Sequence, residues 1–151
     1  MTDNQDQIPE GYAISDDTSL LDMDVIYNYI GKESYWSKGM PRAILEKSVA
    51  NSLSFGIYFK GAQVGFARMI TDKATFAYLA DVFILEPHRG KGLSKRLMAF
   101  ILAHPELQGL RRMMLATRDA HELYAPFGFT PLRKPQNVME LHNPDVYKTD
   151  S

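Results

Sequence analysis

The sequence predicts an α/β (α+β) fold: a central mixed, mostly antiparallel sheet of roughly six or seven strands flanked by about four helices, in the order β-α-α-β-β-β-α-β-α-β. Three observations carry it. Three consecutive apolar runs, at residues 53–59, 63–70 and 76–85, are separated only by short polar turns, so they must run antiparallel. An apolar stripe at helical spacing follows them. Residues 112–117 then read as a strand that comes after a helix, which makes it a parallel neighbour by the right-handed crossover rule.

Before those runs, residues 11–15 offer a short strand that ends at the turn-forming pair Asp16-Asp17. Asp22 or Asp24 can cap a helix carrying Val25, Ile26, Tyr29 and Ile30, which Gly31 stops. The stretch from Ser34 through Tyr35, Trp36 and Gly39 to Met40 has no period and reads as a loop, either a plain surface connection or one that touches a substrate. Pro41 suits the first turn of a second helix through Val49.

The run at residues 76–85 is apolar apart from Asp81, as a central strand buried on both faces would be. Leu93, Leu97, Phe100 and Ile101 form the stripe of the next helix, with Pro105 beyond its end. Asp119 is placed to cap a short helix through Tyr124, and Gly128-Phe129 leads to a last strand pair around Pro131 and residues 138–141.

Length and composition bound the rest. A chain of 151 residues, 45% of them hydrophobic, fits one domain spanning residues 1–151, with residues 1–10 and 145–151 expected to be loose. Seventeen Lys plus Arg against 18 Asp plus Glu leave a formal net charge of -1, which implies no bulk attraction to nucleic acid or to an anionic membrane. No apolar run approaches spanning length, and the polar, acidic start is not that of a signal peptide. With no cysteine, disulfides, thiolate metal ligands and a cysteine nucleophile are excluded, and a cytoplasmic location is expected. His104 and His142 lack metal-ligand spacing, so no metal is expected.

The chemistry concentrates in Arg89-Gly90-Lys91-Gly92-Leu93-Ser94, between an apolar strand and an amphipathic helix. A helix N-terminus leaves backbone N-H groups unpaired and carries partial positive charge, and glycines let a phosphate approach the backbone. Lys95 and Arg96 add local charge. Spacing rejects two phosphate motifs: a dinucleotide fingerprint needs glycine at Lys95, and a Walker A loop needs a Gly-Lys-Ser/Thr that does not occur here.

The remaining pattern, R-x-x-G-x-[GA] after Val82-Phe83-Ile84-Leu85, resembles the signature of the GNAT superfamily of acetyl-CoA-dependent N-acetyltransferases. The resemblance extends over residues 11–141 and includes Leu123-Tyr124-Ala125-Pro126-Phe127-Gly128-Phe129, similar to the family's L-Y-x-x-x-G-F segment. It implies the GNAT acyl-CoA N-acyltransferase fold, acetyl-CoA as cosubstrate, and direct attack of a primary amine on the thioester. It also implies coenzyme contacts from the turn, at Arg89, Gly90, Lys91, Gly92, Leu93, Ser94 and Lys95, and from the strand backbone at Val82, Phe83 and Ile84. Two features depart from the family's pattern: Ser94 stands where a small Gly or Ala is usual, and the connection from Arg118 to His121 is short.

Tyr124 matches the family position whose phenol protonates the departing sulfur. An alkylamine with a pKa of about 10.4 adds about 4 to 5 kcal/mol to the barrier at neutral pH unless its proton is removed. Asp81, the one acid inside the central strand, is the first candidate for that base, and its alternative is a buried structural acid paired with backbone or Arg68. His121, Glu122 and water are the other candidates. Family members that act on polyamines use an acid pair, and here the first of that pair is Ala80.

Tyr35, Trp36, Arg68, Phe76, Tyr78 and Arg118 are the candidate acceptor contacts, two arginines and aromatic surface that would suit an amino acid or amine metabolite. A protein N-terminus or lysine is the alternative acceptor, and a silent acyl-CoA-binding module the alternative function. The resemblance also suggests a homodimer paired through strands near the end of the chain.

Overall fold

The computed structural model describes residues 8–148. Most of the expected loose ends lie outside that range. Five strands form one sheet in the order β1-β2-β3-β4-β5: β1 Tyr12–Ser15, β2 Leu53–Phe59, β3 Ala62–Thr71, β4 Phe76–Ile84 and β5 Arg112–Leu115. The first four run antiparallel to their neighbours, and β5 lies parallel to β4. The α-helices among the described residues are α1 Met23–Tyr27, α2 Arg42–Ala50, α3 Leu93–Leu102 and α4 His121–Tyr124.

Alternation along the strands builds two cores, one on each face of the sheet. Ala67 and Ile84 point into a cluster with Phe55, Leu93, Leu97, Met98 and Ile101, which seats α3. Their neighbours Phe66 and Phe83, opposite each other in the β3–β4 register, point the other way into Ile26, Ile30, Leu45 and Val49 of the α1–α2 layer. Truncating a fully buried leucine such as Leu97 to alanine in a core of this kind costs about 2 to 5 kcal/mol.

Four local readings differ from expectation. The sheet has five strands because no last strand pair forms: around Pro131 and residues 138–141 the chain is irregular, interrupted by a tight turn at Pro135–Asn137. Two prolines without N-H groups in that stretch remove ladder donors. The helix expected to end at Gly31 instead widens after Tyr27 into a π-helical turn, Asn28–Glu33. On α3 the fourth buried position is Met98, while Phe100 is more than a third exposed at the edge of the stripe, its ring edge-on to Phe55. Finally, Pro41 is the N-cap of α2, just ahead of its first turn, and Ala120 rather than Asp119 is the N-cap of α4.

Candidate active site

The β4–β5 pair is short by design of its register. Phe76 lies opposite Arg112 and Leu79 opposite Leu115, and there β5 ends. β4 runs on through Asp81, Val82 and Phe83 to Ile84 with no strand among the described residues on that side. The gap so opened is a cleft of about 860 Å³, walled by β4 from Tyr78 to Ile84, by the connection after β5 from Ala116 to Ala120, and by Tyr35, Trp36 and Tyr124.

At one end of the cleft stands the glycine turn. Gly90 and Gly92 have φ of +78° and +76°, a left-handed backbone that L side chains resist, and the space where each Cβ would stand is open. The first bond of α3 runs from the Arg96 amide to the Gly92 carbonyl, so the amides of Leu93, Ser94 and Lys95 have no intrahelical acceptor. Ser94 and Arg89 reach the cleft wall. The Arg89 guanidinium donates to the Ile84 carbonyl at 2.8 Å and to the Tyr29 hydroxyl at 3.2 Å, which braces the turn against the end of β4. The donor set therefore suits a diphosphate: free amides converging at a helix N-terminus, glycines that leave room, and Lys91 and Lys95 on the same turn.

Midway along β4 the strand bulges. The β3–β4 register shifts between Phe66 and Arg68, and Asp81 takes a φ of +57°, rare for a residue other than glycine. Its side chain is only 4% exposed. One carboxylate oxygen accepts from Arg68 Nε at 2.6 Å and the other from Trp36 Nε1 at 2.8 Å. Removing one partner of a buried ion pair like this costs about 3 to 5 kcal/mol, because the other charge is left uncompensated. Arg68 also donates to the Ser52 hydroxyl at 3.0 Å.

Across the cleft, Tyr124 closes α4 with 8% of its surface exposed. Burial first, and the neighbouring Tyr35 phenol second, push its pKa above the ordinary tyrosine value. Tyr35 itself lies under the Arg118 guanidinium at 3.8 Å and edge-on to Trp36. Of the residues expected from sequence, Tyr35, Trp36, Tyr78, Asp81, Val82, Phe83, Ile84, Arg89, Ser94, Arg118 and Tyr124 line this one cleft. Arg68 stands behind it through Asp81. Gly90, Lys91, Gly92, Leu93 and Lys95 form the turn at its end. Phe76 is not brought in: it lies opposite Arg112 at the start of β4. His121 and Glu122 are exposed and outside the lining. Tyr29 was not expected; it stacks on Phe83 at 4.3 Å and holds Arg89, and only its i+3/i+4 place on the first helix hinted at a packed position.

The sequence pattern of the Acetyltransferase (GNAT) family matches residues 23–129. The chain belongs to that family. A Gibberella zeae protein, provisionally named an acetyltransferase, is 34% identical over 135 residues, covering 75% of this chain and 75% of its own. A crystal structure from Xanthomonas campestris pv. campestris, provisionally assigned to the GNAT family, is 50% identical with a TM-score of 0.91, covering 95% of this chain and 100% of that one. A GNAT family acetyltransferase from Elizabethkingia anophelis, solved with acetyl-CoA bound, shares the fold at a TM-score of 0.62 and 10% identity, over 87% of this chain and 88% of that one. Among the described residues no helix is long and apolar enough to cross a membrane.

Proposed function

We propose that this chain is an N-acetyltransferase that moves the acetyl group of acetyl-CoA to the primary amine of a small molecule carrying a carboxylate, such as an amino acid. The observation that carries this reading is the cleft itself, which runs from unpaired helix amides at Ser94, along the free edge of β4, to a buried tyrosine.

The amides of Gly90, Gly92, Leu93, Ser94 and Lys95 hold the pyrophosphate, with Lys91 adding charge and Arg89 keeping the turn in place. The open backbone edge of Val82, Phe83 and Ile84 pairs with the pantetheine arm. Acetyl-CoA supplies the thioester carbonyl: the amine nitrogen bonds to its carbon as the carbon–sulfur bond breaks. The substrate ammonium first loses one proton to water; as the neutral amine attacks, Tyr124 gives its phenolic proton to the departing sulfur, and the second proton lost from the nitrogen restores the phenol through water. A raised tyrosine pKa favours the neutral, proton-bearing phenol through the physiological range.

Acceptor choice lies with Tyr35, Trp36, Tyr78 and Arg118. Arg68 is committed to Asp81, so Arg118 is the arginine left to meet an acceptor carboxylate. The contact of Tyr35 with Arg118 bridges the cleft from one side to the other, which favours a small acceptor over a peptide. The absence of cysteine suits a cytoplasmic enzyme.

Two copies are proposed to pair through the end of the chain. Met139 and Leu141 are almost wholly exposed. Beside β5 lies a groove lined by Leu107, Leu110, Met113 and Phe129 with Arg111, Arg112, Arg133 and Lys134. The exposed segment carries Glu140 and Asp145 and no lysine or arginine up to Tyr147, so its charge complements that groove.

The acceptor class is tested by thiol release from acetyl-CoA over amino acids, polyamines and N-terminal peptides. Turnover with amino acids that falls when Arg118 is replaced by methionine supports the reading. Turnover confined to polyamines or peptides refutes it.

A further inference from the structure

Trp36 and Asp81 are 45 residues apart in the sequence, and nothing local requires them to meet. The bond between them joins the loop at residues 34–40 to the bulge of β4. Its loop end is prepared from within: the buried Ser34 hydroxyl donates to the Ile30 carbonyl at 2.6 Å and accepts the Ser37 amide at 3.2 Å, and the Gly39 amide reaches the Gly31 carbonyl at 2.8 Å. Its sheet end is prepared from behind: Arg68 holds the second carboxylate oxygen and, through the Ser52 hydroxyl and the Ser48 carbonyl, ties back to α2. The far side of the loop rests, through Tyr35, under Arg118. The loop is thus fastened to both lips of the cleft, and the indole, 39% exposed, is held at the acceptor end.

We propose that Asp81 is a positioning residue for the acceptor rather than the base: it clasps the Trp36 indole so that Trp36 and Tyr35 form a fixed wall against which the amine substrate is oriented. Both of its oxygens are engaged, one with a cation and one with an N-H, and although it borders the cleft its side chain is only 4% exposed, so neither oxygen is left to take a proton from the amine. The left-handed φ at Asp81 fits this role, because the bulge turns the carboxylate away from the alternation of the strand and toward both partners at once. This inference rests on the acetyltransferase reading for its kinetic arm but not for its spectroscopic one.

Trp36 is the only tryptophan in the chain, so its fluorescence reports the clasp without any substrate. In the full chain, Asp81→Asn is expected to red-shift the emission and raise quenching by acrylamide, and to raise the acceptor KM at least about tenfold while kcat falls no more than about threefold and keeps its pH profile. Trp36→Phe leaves Asp81 and Arg68 paired and removes only the indole donor, so it remains informative if the Asp81 variant does not fold; it is expected to raise the acceptor KM to a similar extent. The two changes combined should cost no more than either alone. An unchanged emission in Asp81→Asn, or an unchanged KM in Trp36→Phe, overturns the clasp. A fall in kcat of about a hundredfold in Asp81→Asn with loss of the acidic limb of the pH profile overturns it in favour of a base. If wild-type protein acetylates no amine, the functional reading fails while the emission shift still decides the clasp.

Discussion

Tyr124 ends a four-residue helix with its ring buried beside Phe129, and it lines the cleft together with Tyr35. Burial disfavours the phenolate, so the group stays a proton donor past the pH at which an exposed tyrosine, near 10, would lose half its protons. The expected pH dependence has the matching sign: the phenol imposes no fall in kcat through neutral and mildly alkaline pH, where deprotonation of the amine raises the rate, and a decline sets in only above the ordinary tyrosine range. Tyr124→Phe should lower kcat at least about tenfold while acetyl-CoA affinity, followed by calorimetry, stays the same; unchanged turnover removes the phenol from the mechanism. The position of Tyr124 was legible because a local motif carries it. The partner of Asp81 was only half legible. Arg68 was a candidate, but the indole of Trp36 was not, since a bulge and a left-handed backbone angle decide where that carboxylate points. Phe76 shows the converse: it shares strand parity with Tyr78, and parity says nothing of depth along a strand, so it lies at the paired end of β4 instead of the cleft.

At the scale of elements, the strand-turn-helix geometry at Gly90 and Gly92 was legible from spacing because it is local: two positive φ angles, a brace from Arg89 and a helix start. Gly92→Ala puts a Cβ where the backbone angle of +76° disfavours one and where a phosphate needs to approach. It should lower stability by about 1 to 3 kcal/mol in denaturant unfolding and weaken acetyl-CoA binding at least about tenfold, with the acceptor KM little changed. Equal acetyl-CoA affinity in the two proteins would mean that the turn does not hold the coenzyme. The end of the chain was read less well for the opposite reason. Strand propensity at residues 138–141 is real, but a strand exists only when another edge accepts its hydrogen bonds, and Pro131 and Pro135 withhold donors from the approach.

For the molecule as a whole, the sheet separates two cores and leaves β5 as one edge, next to an apolar and basic groove. An exposed sheet edge and an exposed apolar tail of opposite charge on one chain favour association of two copies. Light scattering at micromolar concentration is expected to return twice the 17.1 kDa chain mass, and Met139→Glu with Leu141→Glu to return one. A wild-type monomer contradicts the pairing without touching the chemistry. The order of strands and helices was legible because two short turns and one crossover fix it, whereas the gap beside β4, on which the cleft depends, follows from where β5 stops and could not be read from either strand alone. Acetyl transfer in that cleft is decided by incubating the protein with acetyl-CoA isotopically labelled in the acetyl group and a set of small amines bearing a carboxylate, while counting released thiol. Label is expected on the amine nitrogen of at least one of them, with one thiol released per amide formed; binding of acetyl-CoA with neither label transfer nor thiol release would refute transfer.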